Sequence, residues 1–304
     1  MTAAASTGPS RISRILVGTD YSPAAHRAVS RAGQLARQLG ASLQLVHAQP
    51  DWNLFSRSSA VTTAHYAAIL HHADATLRAE LSHLREAFGL NVHGENRIGR
   101  ASEVLIRAVA ESAPDVMVIG ARGEHEVAGL APYLGGTALK MIVLAPCPVL
   151  LVRAAGEAPY RSCLAAVECA DVPPRSLVRW AKALLSEGEC HALHVFEVPY
   201  AARIRAQGVT PALLEAWGEG RRREVGRILT DMAGVESDAR VRVSAHVVAG
   251  EPVPGILAEI EARHPDFVVL GKHRRTARNG SGSSLGSVAQ RIAWHGSGDL
   301  LVVP

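Results

Sequence analysis

The chain of 304 residues is written twice. "GRASEVLIRAVAESAPDVMVIGARG" begins at Gly99, and "GEPVPGILAEIEARHPDFVVLGKHR" begins at Gly250. In each, an aspartate stands 16 positions after the first glycine, at Asp115 and Asp266. A second glycine follows five positions later (Gly120, Gly271), and a third lies 15 beyond that (Gly135, Gly286). Shorter echoes flank these blocks. "RISRILVGTDYS" answers "YRSCLAAVECAD", "LQLVHAQP" answers "HALHVFEVP", and "CPVLLV" answers "GDLLVVP". A chain that repeats itself at this scale must fold twice into one kind of domain. The seam is "RAAGEAPYR", residues 153–161, which is rich in Ala, Gly and Pro. The expected domains are therefore 1–156 and 157–304.

Each half alternates strand and helix patterns. In the first, "ISRILVG" reads as a strand, and Ser22-Pro23 supplies an N-cap and a proline at the first helical position. Ala25, Ala28, Val29, Ala32, Leu35, Ala36 and Leu39 recur at helical spacing, and Gly40 closes the helix. "SLQLVHA" is the second strand. A helix follows with Leu70, Leu77, Leu81, Leu84 and Phe88 inward. Residues 91–98 are a third strand, 101–112 a helix, "VMVIG" a fourth strand, 137–144 a helix and "VLLV" a fifth strand. The second half keeps this order, with a long helix over 211–232 whose Leu214, Trp217, Val225, Ile228 and Met232 face inward. Hydrophobic residues make up 48% of the chain but aromatic residues only 4%. The core must therefore be aliphatic, as in the buried strands of a parallel sheet covered by helices. The expected class is α/β, with two doubly wound, open, parallel five-stranded sheets in tandem.

Several classes of function are disfavoured. A net charge of +4 with Lys and Arg spread along the chain argues against a nucleic-acid surface. No apolar run reaches the roughly 18 residues of a membrane helix, and "MTAAASTGPSR" lacks the apolar core of a secretory signal and reads as a short disordered lead. Cys147, Cys163, Cys169 and Cys190 form no CxxC and read as reduced, partly buried thiols of a cytoplasmic protein, with a Cys163–Cys169 redox pair as the alternative. The 14 histidines include no HExxH, and His71, His72 and His83 are read as surface residues of one helix.

In a doubly wound sheet, ligands sit at the carboxyl ends of the strands, where strand order reverses. Asp20, Ala48 and Gly120 end the first, second and fourth strands of the first half and are expected to converge there. "ILVGTDYSPAAHRAVSRAGQLARQLGASLQLVHA", the block from Gly99 to Asp115 and "VIGARG…LGGTALKMIVLAPCPVLLV" resemble the universal stress protein family in its tandem form, over almost the whole chain. The resemblance implies a Rossmann-like fold of the adenine nucleotide alpha hydrolase type. Nucleotide-binding members carry a glycine, two residues, a glycine, nine residues and then Gly-Ser or Gly-Thr, with an aspartate after strand one beside the adenine. Other members lack this pattern and bind no nucleotide. Glycines let the backbone approach phosphate, and the helix that follows presents free N–H groups.

Neither copy keeps the whole pattern. The first has Asp20, Gly120, Gly123, Gly135, Gly136 and Thr137, but 11 residues separate Gly123 from Gly135, and Glu124 and Glu126 add negative charge. Gly120 can also be read as a simple turn, Gly135 and Gly136 as a helix start, and Asp20 as a helix cap. The second has Gly271, Gly286 and Ser287, with Arg274 at the second glycine and Glu168 for the aspartate. Its loop carries Lys272, Arg274, Arg275 and Arg278, able to hold an anion or simply to stand in solvent.

The expected function is a stress-response binding module without catalysis. It would take ATP or another adenine nucleotide, with Mg²⁺ as an optional companion, chiefly in the first half, and the loops at 121–134 and 272–285 would respond. The alternatives are an interaction module without nucleotide, binding a protein or another small ligand, and a fold-related enzyme. The enzyme reading is disfavoured because "GTDYSPAA" and "AVECADVP" lack the SGGxDS type of loop. The family also implies pairing through the last strands, "VLLV" (149–152) and "LLVV" (300–303), within one chain as a pseudo-dimer, and a homodimer of whole chains.

Overall fold

The computed structural model describes residues 8–9, 11–51, 63–123, 134–153, 158–168, 175–197, 210–272 and 285–304. The chain divides into two compact units, Arg11–Ala158 and Pro159–Pro304, with Gly8 and Pro9 grouped with the second.

The first unit runs β1 (Arg14–Thr19), α1 (Pro23–Leu39), β2 (Ser42–Gln49), α2 (Thr63–Phe88), β3 (Val92–Ile98), α3 (Ala101–Ser112), β4 (Val116–Gly120), α4 (Gly136–Leu144) and β5 (Val149–Val152). Its strands lie in the order β3-β2-β1-β4-β5, every pair parallel. The second unit runs β6 (Ser162–Ala166), α5 (Arg175–Leu184), β7 (Gly188–Phe196), α6 (Pro211–Glu236), β8 (Val241–Ala249), α7 (Pro252–Arg263), β9 (Phe267–Gly271), α8 (Ser287–His295) and β10 (Asp299–Val303). Its order is β8-β7-β6-β9-β10, again parallel. In each, the chain winds outward from the first strand and then crosses to its other side, so the switch point falls between β1 and β4, and between β6 and β9.

The central strands are buried on both faces. Leu16, Val17, Leu43, Leu45, Val118 and Leu150 are in the first core, and Leu164, Leu193, Val269 and Leu301 are in the second. Local chemistry sets the helix ends. Ser22 Oγ accepts the N–H of Ala25 at 3.2 Å, with Pro23 in the first turn.

The repeated spacing has a structural cause. Gly99 and Gly250 sit at φ 142° and 143°, which a side chain would resist, and turn the chain from β3 or β8 into the next helix. Ala113 and His264 end those helices in the left-handed region. The aspartate two residues on then clamps the start of the first strand. Asp115 Oδ2 accepts from the N–H groups of Ser13 (2.7 Å) and Arg14 (2.9 Å), and Asp266 Oδ2 accepts from Arg161 (2.7 Å) and Ser162 (2.9 Å). The pair Gly99–Asp115 and its copy are thus architectural.

Some expectations are corrected. Trp217 is 50% exposed, not core, and α6 runs on to Glu236, burying Val225, Leu229 and Met232. Ile228 is half-buried, and Leu214 lies outside the described side chains. On α2, Leu77, Leu81 and Leu84 are buried, but Leu70 and Phe88 are only half-buried. His71, His72 and His83 are exposed, as expected. Cys147, Cys163 and Cys190 are buried free thiols. Cys169 lies outside the described residues, as do Glu124, Glu126, Arg274, Arg275, Arg278, most of the loops 121–134 and 272–285, and the lead apart from Gly8, Pro9 and Arg11.

Candidate functional site

The carboxyl ends of β1, β2 and β4 open into a cavity of about 840 Å³, within the range of small-molecule sites. Asp20, Ala48, Gly120, Gly123, Gly135, Gly136 and Thr137 all line it, though they come from four separate segments. Arg122 also lines it.

Asp20 is not the helix cap. Its Oδ1 accepts the N–H of Ser22 at 3.0 Å, closing a turn that hands the capping role to Ser22. A Cβ on Gly123 would lie 2.6 Å from the other oxygen, so the glycine lets Asp20 reach the loop. A Cβ on Gly120 would come within 3.0 Å of the carbonyls of Ala24 and Arg122, so this residue permits close passage past α1. Gly136 differs. A Cβ there would meet no described atom within 4 Å. It is the first residue of α4, Gly135 is the N-cap, and no described side chain caps the helix. A helix N-terminus of this kind favours an anion, and the Arg122 cation lines the same cavity. Thr137 falls inside the first turn, because α4 begins one residue earlier than the sequence suggests.

Two residues at the mouth were not found from sequence. Tyr21 has φ 60°, a conformation rare for a bulky residue. It is held by Thr19 Oγ1, which accepts its N–H at 3.1 Å, by its hydroxyl on Asn96 (3.3 Å), and by ring contact with His47 at 4.4 Å between centroids. Burial first, and then Glu80 and Asp74, push the Tyr21 hydroxyl's pKa upward, so it stays protonated. His47 Nδ1 lies 2.9 Å from the carbonyl of Thr19. In the second half His194 Nδ1 lies 2.9 Å from the carbonyl of Val167. The same bond therefore fixes the strand-to-acid turn in both copies. Comparing "LVHA" (45–48) with "ALHV" (192–195) as repeats is the signal that would have found it.

The matching cavity of the second half is larger, about 1440 Å³. Gly271, Gly286 and Ser287 line it, as does Glu168 in place of Asp20. α8 starts at Ser287 with Gly286 as N-cap and no described side-chain cap. Lys272 also reaches this cavity and is only 7% exposed. The walls differ most on the long helix. Ile69, His72, Ala73 and Thr76 of α2 face the first cavity, whereas Trp217, Gly220, Arg221 and Glu224 of α6 face the second. Arg221 pairs with Glu224 at 3.0 Å.

The model of the universal stress protein family matches this chain twice, over residues 11–153 and 159–304. The chain belongs to the universal stress protein family. A universal stress protein of Mycolicibacterium smegmatis is 27% identical over 301 residues, covering 95% of this chain and 96% of the relative. The crystal structure of a universal stress protein from Archaeoglobus fulgidus superposes with a TM-score of 0.66 at 16% identity, over 95% of this chain and 97% of that one. A functionally unknown protein from Pseudomonas aeruginosa gives 0.62 at 18%, over 96% and 92%. These structures share the fold of this universal stress protein across both halves. Among the described residues no helix is long and apolar enough to cross a membrane, and no group of three or more His, Cys, Asp or Glu side chains is placed to hold a metal ion.

Proposed function

We propose that the first-half cavity binds an adenine nucleotide and that the protein acts as a regulatory sensor rather than an enzyme. One observation carries this reading: seven residues singled out from the sequence line one cavity at the N-terminus of α4, where a Cβ on Gly136 would meet no described atom within 4 Å and Arg122 adds a cation. The phosphates would lie on the first turn of α4, and the base against Ala48, Leu105 and Ile119. Asp20 is the one carboxylate among the described lining residues. Mg²⁺ would therefore arrive with the phosphates, as it commonly does. Ligand occupancy would shift the populations of the loops at 121–134 and 272–285. The second cavity has its own helix N-terminus at Gly286 and Ser287, but Trp217, Arg221 and Glu224 reshape its wall. That difference favours another small ligand there.

The test begins with protein purified without added nucleotide, unfolded and analysed by mass spectrometry for released small molecules. Mg²⁺-ATP is then titrated calorimetrically into wild type, Asp20→Ala and Gly135→Val. Release of an adenine nucleotide, or micromolar binding lost in both variants, is the expected result. An empty protein with no heat at millimolar ATP would sink the reading.

A further inference from the structure

Away from both cavities, the second half carries a polar cluster between β7, β8 and α7. Arg263 Nη2 lies 3.2 Å from His246 Nδ1. His246 Nε2 lies 3.0 Å from Ser244 Oγ and 3.3 Å from His191 Nδ1, and Ser244 Oγ lies 2.9 Å from His191 Nδ1. A guanidinium can only donate. His246 Nδ1 must therefore accept, and its proton sits on Nε2. The donors then run one way, from Arg263 to His246 to Ser244 to His191, with both imidazoles neutral.

At the same level of the first half stands a network of another kind. Gln44 donates to Glu95 (3.0 Å), and Arg97 pairs with Glu95 (2.7 Å) and Glu111 (2.6 Å). Strand register places Gln44 and Glu95 where the second half has His191 and His246. One copy is held by two carboxylates, an amide and a guanidinium, the other by two imidazoles, the side chain that ordinarily changes charge between pH 5 and 8.

We propose that the Arg263–His246–Ser244–His191 chain is a proton-sensitive latch that holds β8 and α7 on β7, so that mild acid loosens this wall of the second half and spares the first. A proton added to His246 would face the Arg263 guanidinium. A proton added to His191 would face the N–H of His246. The other charges on the cluster are Glu259 and Glu189. Glu259 is already taken by Arg263 Nε at 2.6 Å, and Glu189 stands 3.9 Å from His191 on a partly exposed side chain. Burial first, and then for His246 the Arg263 charge, hold both imidazoles below their usual value, although the carboxylates pull the other way. The unfolded chain takes up these protons near pH 6.5 and the folded one does not. The latch is therefore at full strength above that pH and weakens as pH falls through 6.5 towards the folded values. Its release would reach the second cavity, because Pro252 and Ile256 of α7 line it.

Hydrogen exchange on the full chain at pH 7.5 and 5.5, expressed as protection factors, tests this. Protection of 241–263 should fall by about 10- to 100-fold, as loss of one or two proton linkages over a pH unit allows. Protection of 92–112 should hold. The variant His191→Gln with His246→Gln should abolish the pH dependence. Equal loss in both halves, or an unchanged pH response in the double variant, overturns the proposal. Should that variant fail to fold, imidazole titrations of the wild-type protein by NMR decide: both histidines should titrate below 6.5, and either one titrating at or above it overturns the latch.

Discussion

Gly136 separates a phosphate cradle from a mere helix start. Its Cβ would meet no described atom within 4 Å at the first turn of α4, on a backbone that other residues adopt without strain. Gly136→Ala should therefore stabilise the protein, by about 0.5–1 kcal/mol, because alanine loses less chain entropy and favours the helix. For a unit of this size that raises Tm by about 1–4 °C. Gly136→Leu should fold equally well, yet its side chain would occupy the space over the first-turn N–H groups. The loss of one hydrogen bond to a charged phosphate is worth about 1.5–3 kcal/mol, roughly 10- to 150-fold in Kd. Thermal unfolding measures the first effect, and calorimetric titration of Mg²⁺-ATP the second. A leucine variant that is stable and binds like wild type would refute the placement of phosphate at α4. An alanine variant that is destabilised would refute the open-space argument itself.

Other outcomes follow from burial and charge. Leu229→Ala, at a fully buried position of α6, should cost about 2–5 kcal/mol in urea unfolding, whereas Trp217→Ala on the same helix should cost under about 1 kcal/mol. Cys163 and Cys190, paired across β6 and β7, should resist alkylation in the native protein and react only on unfolding, since burial pushes the Cys163 thiol well above its usual pKa. Asp238 is held down to about 2 by Lys182 first, and then by the N–H groups of Val241 and Arg240. Its contribution is present above about pH 4 and is lost as pH falls towards 2. The side chain is half exposed, so Asp238→Asn should remove less than about 1 kcal/mol at pH 7, and acid titration of stability should show a shallower slope in that window.

Most of the fold was legible because the chain repeats itself and its strands are aliphatic runs. The fourth and fifth strands and the third helix fall where spacing puts them. Trp217 was misread because helical periodicity shows which residues share a face, not how far the neighbouring sheet extends beneath them. Trp217 lies over a cavity rather than over the sheet, so it is left half exposed. The glycines of the loop were legible as a set but not one by one. Gly120 serves chain passage, Gly123 makes way for Asp20, and a Cβ on Gly136 alone of these would meet no described atom. Asp20 was ambiguous because an acid before Ser-Pro can cap a helix directly or through its neighbour, and only coordinates distinguish the two. His47 and His194 escaped notice because a lone histidine in a strand carries no motif.

The bond from His47 to Thr19 and its twin from His194 to Val167 imply something about how such a chain diversifies. Both copies kept the device that shapes the turn, while four positions on one helix drifted from Ile69, His72, Ala73 and Thr76 to Trp217, Gly220, Arg221 and Glu224. The turn and the cavity wall above it thus lie on separate segments. On the proposed reading, rewriting one face of α2 would change what the first cavity admits without disturbing a single strand.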